Sequence, residues 1–310
     1  MTNNNTLLLI DVQKDFHVGG SLAIPGAEDD VERIVQFITT NTNQLHRILC
    51  TLDSHSKLHI AHPSFWIHST TKEHPKPFTI ISSQDVQSGI WIPRSDMTIY
   101  DDMIDINIFM EGSSGSSRRD DNSTSKCDII DPSNGRIDMQ KYCIEYTRRL
   151  EEKQKFQLCI WPEHCLMGSV GHTIVDKILH AIHIWTEQTG RSVEYIYKGQ
   201  NLYTEMYSAF SADVPISKDT SFNHTLYDSL TIESTSSDTQ LYIAGQALSH
   251  CVNYTTRDIV QHWPKSRLND IHIVVDCTSA VTGFESVAQH FVSDMKDAGV
   301  QIIKSTDIIL

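Results

Sequence analysis

LYIAGQALSHCVNYTTRDIV, residues 241–260, is the stretch from which the rest of the chain can be read. It opens as a short apolar run (241–244), turns through Gly245, Gln246 and Ala247, and reaches Cys251. Val252, Ile259, Val260 and Trp263 then follow at helical spacing. A strand, a tight turn and a helix opening on a cysteine are the parts of a nucleophile site. The free N–H groups of a first helical turn and the positive end of its dipole favour thiolate over thiol. The same N–H groups can cradle an oxyanion. A free cysteine is also commonly a small buried hydrophobe, so the surrounding chain has to decide.

Working outward, short β-rich runs alternate with helical patterns. Residues 7–10 (LLLI) read as a buried strand ending at Asp11, and 46–52 as a second ending at Asp53. Between them 27–45 is an amphipathic helix with Val31, Ile34, Val35 and Ile38 on one face. Residues 156–161 are expected to be a third strand, 193–197 a fourth ending at Lys198, 241–244 the fifth and 271–275 the sixth. Helices are expected at 172–189 and 286–298, with a last strand at 300–303. Strands alternating with helices imply right-handed crossovers and a mainly parallel sheet covered on both faces, an α/β chain of three layers. Two segments break the pattern. Residues 112–126 (GSSGSSRRDDNSTSK) carry too little apolar surface to order themselves, and the Ser/Thr-rich 229–238 reads as a surface loop.

At 310 residues the chain is long enough for one large domain, and no linker separates two complete patterns. The simplest division is a single domain, 1–310, with an insertion at about 69–154. Twenty-five Lys and Arg against 39 Asp and Glu give a net charge of −14, which argues against nucleic acid or an anionic membrane as partner. The start of the chain is polar, 7–10 is too short for a signal core, and no apolar run reaches membrane-spanning length. The seven cysteines are scattered, with no CxxC pair, so neither a disulfide framework nor a thiolate zinc site is indicated. A reduced, cytoplasmic setting is the expectation.

Asp11, Asp53, His164, Lys198 and the Gly245 turn each stand where an apolar run stops. In an open parallel sheet the carboxyl ends of the strands line the ligand crevice, so these side chains should converge. One constellation is Asp11, Lys198 and Cys251: a carboxylate to take the thiol proton, and an ammonium to keep that carboxylate ionised. The other is Asp53, His55 and His164. A carboxylate with two imidazoles and open positions suits one divalent metal, Zn²⁺, Fe²⁺ or Mn²⁺, carrying waters. His59, His62, His68 and His74 lie nearby, and with sixteen histidines in the chain some are incidental.

These stretches resemble the nicotinamidase branch of the isochorismatase-like cysteine hydrolases. LLLIDVQKDFHVGGSLAIPGA (7–27) is similar to that family's opening motif, TLDSHSKLHIAH (51–62) to its metal motif and WPEHCLMGSVG (161–171) to its second metal motif. YKGQNLYTEMYSAF (197–210) resembles its lysine motif and AGQALSHCV (244–252) its nucleophile motif, all in the family's order. The resemblance implies a Rossmann-like α/β/α fold, Asp11 as general base, Lys198 as its partner and Cys251 as nucleophile. It implies a cis peptide between Gln246 and Ala247, and an oxyanion hole from the Ala247 and Cys251 N–H groups. Asp53, His55 and His164 would bind the metal, zinc above all, and Phe16 and Trp66 would flank a flat substrate ring. The metal would hold the substrate, for example through a pyridine nitrogen. A fourth histidine ligand known in some members falls here on Ala61, leaving a water, His59 or His62 in that place. The implied reaction is hydrolysis of nicotinamide or a similar small amide to the acid and ammonia through a Cys251 thioester, a step of NAD salvage.

The spacing from His55 to His164 is longer than in a compact nicotinamidase. Within it, FTIISSQDVQSGIWIPRSD (78–96) is too apolar to be a solvated loop and is read as a cap over the pocket or a contact in a homo-oligomer. Three alternatives stand beside the amidase. A related hydrolase of ureido or N-carbamoyl amides would have less use for the Asp53, His55 and His164 set. Isochorismate cleavage has no need of Cys251. A non-catalytic scaffold has no reason to keep Asp11, Lys198 and Cys251 together.

Overall fold

The structure is a computed structural model that describes residues 4–97, 101–111, 129–152, 156–232 and 239–307. The expectation for 112–126 lies outside these residues. Strand β1 (Asn4–Ile10) is the centre of a six-stranded sheet. It pairs on one side with β2 (Leu45–Asp53) and on the other with a strand at Thr239–Gly245. Beyond β2 comes Glu194–Lys198; beyond Thr239–Gly245 come Ile271–Val274 and Gln301–Ile303. All five pairings are parallel.

The side-chain period of two sorts β1 between two cores. Leu7 and Leu9 enter an apolar layer with Val31, Ile34, Phe37 and Ile38 of helix α1 (Ala27–Thr40). Ile178, Ile182 and Trp185 of the helix Asp176–Thr189 complete that layer. Leu8 and Ile10 enter the larger core on the opposite face, with Val252 and Ile259 of the helix Cys251–His262 and Phe291 of the helix Glu285–Ala298. The three-layer α/β/α arrangement expected from the sequence is therefore what the chain adopts. No described helix is long and apolar enough to cross a membrane.

Several boundaries differ from expectation. Helix α1 stops at Thr40, not at Leu45, because Asn41 and Thr42 turn their side chains back onto the Phe37 and Ile38 carbonyls, leaving Leu45 to open β2. The expected third strand of the sheet is only Leu158–Cys159, and it pairs antiparallel with Ile80–Ile81, away from the sheet. Its backbone groups find partners elsewhere: Ile160 N–H donates to the Thr79 carbonyl and Trp161 N–H to that of Ala61. Ser229 begins no loop; the helix His224–Ile232 runs through it, and 233–238 lie outside the described residues.

The long insertion is part of the same core. Ile81, Val86, Phe109, Tyr142, Cys143, Tyr146 and Leu150 are all buried in the cluster that covers the Ile10 face of the sheet. Helix Met139–Glu152 turns two tyrosines toward the segment after Lys198. Tyr142 donates to the Tyr203 carbonyl at 2.7 Å, and Tyr146 accepts the Glu205 N–H at 2.9 Å. Among the described residues of the insertion none lines the cavity beside Cys251, so they buttress the site from behind and do not cap it.

Candidate active site

Register explains why the site exists where it does. Ile10 is level with Gly245 and Asp53 with Lys198, so the strand ends present neighbouring side chains. Asp11 follows β1 with φ +48°, a left-handed turn that leaves its N–H on Thr51 Oγ1 at 3.0 Å. Thr51 returns its hydroxyl to Asp11 Oδ1 at 2.5 Å. Gly245, at φ +114°, ends the third of these strands, and an added Cβ there would meet the Ile10 carbonyl oxygen at 2.0 Å. Only glycine lets the nucleophile turn close this tightly on β1. The Gln246–Ala247 peptide is cis.

Asp11, Lys198 and Cys251 are brought together, all buried. Lys198 Nζ lies 2.9 Å from Asp11 Oδ2, 3.0 Å from Asp53 Oδ1, 3.3 Å from the Met206 carbonyl oxygen and 3.4 Å from Cys251 Sγ. Lys198 thus stands between the Asp11 carboxyl and the Cys251 sulfur. Burial pushes the Asp11 carboxyl above its usual range, with Lys198 opposing and Asp53 reinforcing the rise. Burial likewise pushes the Cys251 thiol up; Lys198 works against this, while Asp11 and Asp53 add to it. This corrects the expectation of a thiolate from the helix terminus alone: the resting group is a thiol, near a carboxylate that can take its proton.

Asp53, His55 and His164 also converge, with one potential ligand atom from each lying within 4.8 Å of the others. The ring tautomers follow from their outer contacts, since a carbonyl can only accept. His55 Nδ1 donates to the Gly199 carbonyl at 3.1 Å and His164 Nδ1 to the Pro162 carbonyl at 2.8 Å. Neutral rings would then turn bare Nε2 lone pairs toward Asp53 Oδ2, at 3.1 and 3.2 Å. Acceptors facing a carboxylate this closely need a cation among them, whether protons or a metal ion. Burial opposes ionisation of Asp53, yet His55 first and Lys198 next hold its carboxyl well below the usual range. The donor set therefore fits a divalent metal. His59 does not extend it, because its Nε2 donates to the Thr204 carbonyl and its Nδ1 accepts the Ala61 N–H. His62 donates from Nδ1 to the Lys57 carbonyl and keeps a buried, unpartnered Nε2; burial pushes its pKa down to about 2.

Beside Cys251 lies a small, partly enclosed cavity. Phe16, Asp53, His164, Ala247 and Cys251 line it. Trp66 does not: it is fully buried against Phe65, with its indole N–H on the Ile60 carbonyl. Trp161 takes the place beside the cavity, its N–H on Tyr207 Oη at 2.8 Å and its ring edge-on to His250. Trp161, Glu205, Tyr207 and His250 lie outside the site expected from the sequence. Their signals are present in the quoted motifs: Trp161 opens WPEHC, Glu205 is the lone acid in an aromatic stretch, and His250 precedes the nucleophile. Burial raises the Glu205 carboxyl, opposed by His55, and pushes the His250 imidazole down to about 3.

No protein-family model matches the chain, and no curated protein matches it. Solved structures do. A nicotinamidase/pyrazinamidase from Acinetobacter baumanii superposes with a TM-score of 0.58 at 18% identity over 98% of both chains. The yeast nicotinamidase bound to the inhibitor nicotinaldehyde gives 0.58 at 17% identity, over 97% of this chain and 99% of its own. The same yeast enzyme in a second structure gives 0.56 at 19% identity, over 96% and 99%. Likeness at these identities establishes a shared fold: the chain has the α/β/α architecture of the nicotinamidases along almost its whole length.

Proposed function

We propose that this chain is a cysteine amidohydrolase for small aromatic amides, with nicotinamide the leading substrate. The observation that carries this reading is one buried thiol 3.4 Å from Lys198 Nζ, which itself lies 2.9 Å from Asp11, at the wall of an aromatic cavity. The nicotinamidase fold and the nicotinaldehyde held by the yeast enzyme support the same substrate class. Phe16, Trp161 and Tyr207 line the cavity with aromatic rings that would flank a flat substrate, its amide carbonyl toward Cys251.

Cys251 Sγ attacks the amide carbonyl carbon while its proton passes to Asp11 Oδ. The Ala247 and Cys251 N–H groups receive the oxyanion of the tetrahedral intermediate. As that intermediate collapses, the C–N bond breaks and Asp11 gives its proton to nitrogen, releasing ammonia. Water then adds to the thioester carbonyl as Asp11 takes one proton from it, and the C–S bond breaks as Asp11 returns that proton to sulfur, freeing the acid and restoring the thiol. Lys198 keeps Asp11 ionised between these transfers and sits 3.4 Å from the sulfur as its charge develops. A divalent metal, zinc for preference, held by Asp53, His55 and His164 would supply fixed positive charge to bind and orient the substrate. Glu205, beside the cavity, is placed to accept a hydrogen bond from a water or a substrate N–H. Ammonia release from nicotinamide, pyrazinamide, aliphatic amides and N-carbamoyl compounds, each against a Cys251→Ala control, tests the reading. Turnover confined to aromatic amides is the expected result; release from none, or release that survives the control, refutes it.

A further inference from the structure

The turn that carries the Ala247 and Cys251 N–H groups is anchored by a carboxylate outside the cavity. Asp30 stands in the first turns of helix α1 and is 2% exposed. Its Oδ2 accepts from Gln246 Nε2 at 2.9 Å, and Arg33 Nη1 lies 3.4 Å from its Oδ1. The rest of Gln246 is held too. Its Oε1 accepts the Ser279 N–H at 3.3 Å and its backbone N–H donates to the Ile10 carbonyl at 2.7 Å. The following residues are laced to the same loop: Leu248 N–H donates to the Ser279 carbonyl at 2.8 Å, and Val281 N–H to Ser249 Oγ at 3.1 Å. Arg33 in turn fastens that loop to α1 through the Asp276 carbonyl at 3.0 Å.

A fully buried primary amide and a buried carboxylate are both costly to leave unpaired, and an aliphatic side chain at 246 would fill the turn without either. What the pair adds is direction. Gln246 is tied to α1, to β1 and to the 276–281 loop at once, so the plane of the 246–247 peptide cannot rotate without breaking one of these ties. That plane sets where the Ala247 N–H points. A donor aimed at a developing charge is worth most when it need not reorient during the reaction. Resting on the amidohydrolase reading above, we infer that Asp30 is a positioning residue: through the Gln246 amide it fixes the Ala247 N–H that receives the oxyanion.

Two readouts isolate that role. One is the split between kcat and KM. The other compares an aromatic aldehyde, whose carbonyl carbon bonds Cys251 Sγ while the thiol proton ends on the aldehyde oxygen, with the flat carboxylic acid product. Asp30→Ala should lower kcat and weaken aldehyde binding about 10- to 100-fold, with KM and acid affinity within about threefold. Asp30→Asn, which keeps an acceptor oxygen for Gln246 Nε2, should stay within about threefold of wild type. Gln246→Met makes the same test from the other side should Asp30→Ala fail to fold, and it should show the Asp30→Ala pattern. An unchanged kcat in both Asp30→Ala and Gln246→Met overturns the inference. So does equal loss of aldehyde and acid, or an Asp30→Asn enzyme as damaged as Asp30→Ala. Wild-type protein that neither hydrolyses amides nor binds the aldehyde fails the amidohydrolase reading itself and the positioning role with it. Active wild type with indifferent Asp30 variants fails the positioning role alone.

Discussion

Lys198 Nζ lies 3.0 Å from Asp53 Oδ1, so the reacting thiol and the histidine cluster are joined through one carboxylate. Asp53 gives its other oxygen to His55 and His164. Neither half of the site can therefore be altered at this residue without disturbing the other. Asp53→Asn should lose metal on elemental analysis and lose activity at least about 100-fold, and excess metal should not restore it. His164→Ala should lose metal to a similar extent but regain part of its activity when metal is supplied. Full rescue of Asp53→Asn by metal would show that the link to Lys198 has no catalytic consequence.

Removal of the nucleophile should be nearly complete in effect. Cys251→Ala is expected to cost about 10³-fold or more in kcat while leaving the thermal unfolding midpoint close to wild type, since only sulfur is deleted. Activity within about tenfold of wild type corresponds to about 1.4 kcal/mol of barrier, too little for covalent catalysis.

The pH dependence follows from Asp11. The base works only when ionised, and burial raises its pKa above the ordinary carboxyl range. Activity should thus be present above that raised value and be lost as pH falls through it, so the acid limb of kcat/KM lies higher than for a solvated aspartate. Lys198 opposes the rise, so Lys198→Gln should move the limb further up. A limb at the ordinary aspartate value in both proteins would sink the assignment of Asp11 as base.

The two tryptophans should separate cleanly. Trp161 lines the cavity and Trp66 does not, although both are buried. Trp161→Ala should raise KM, measured with nicotinamide, more than it lowers kcat. Trp66→Ala should act chiefly on stability, by about 3–5 kcal/mol in denaturant unfolding, the usual range for deleting a buried aromatic ring. A larger KM effect from Trp66 than from Trp161 would reverse the two roles.

Tyr142 and Tyr146 extend the same logic to the insertion. Tyr146→Phe removes the acceptor of the Glu205 N–H without opening a cavity. It should cost about 1–3 kcal/mol of stability through the donor left unpaired. An unfolding midpoint unchanged in urea would show that the helix Met139–Glu152 does not hold the Glu205 segment in place.

What could be read in the sequence was whatever repeats along a strand or helix. The alternation of Leu7 to Ile10 and the spacing of Val31, Ile34 and Ile38 mark β1 and α1, because burial on one face leaves a period behind. Asp11, Asp53, Lys198 and Cys251 were legible because strand ends of a parallel sheet converge by geometry. Contacts made across the fold leave no such trace. Leu158–Cys159 resembles a sheet strand locally, and only its pairing with Ile80–Ile81 places it elsewhere. Trp66 and Trp161 are equally aromatic in sequence; which of them meets the cavity depends on how the loops after β2 and around Pro162 pack. The burial of Tyr142 and Tyr146 likewise depends on the segment after Lys198, some sixty positions away.

The pairing of β1 with Thr239–Gly245 has a consequence during synthesis. Asp11 and Cys251 are separated by 251 − 11 = 240 positions, yet they meet only because Ile10 is level with Gly245. A chain emerging from the ribosome carries Asp11 long before Cys251, and the two cannot meet until the middle of the sheet has zipped. On the proposed mechanism, chemistry is thus the last property this polypeptide acquires, and recovery of turnover after dilution from denaturant should report the closing of its central strands.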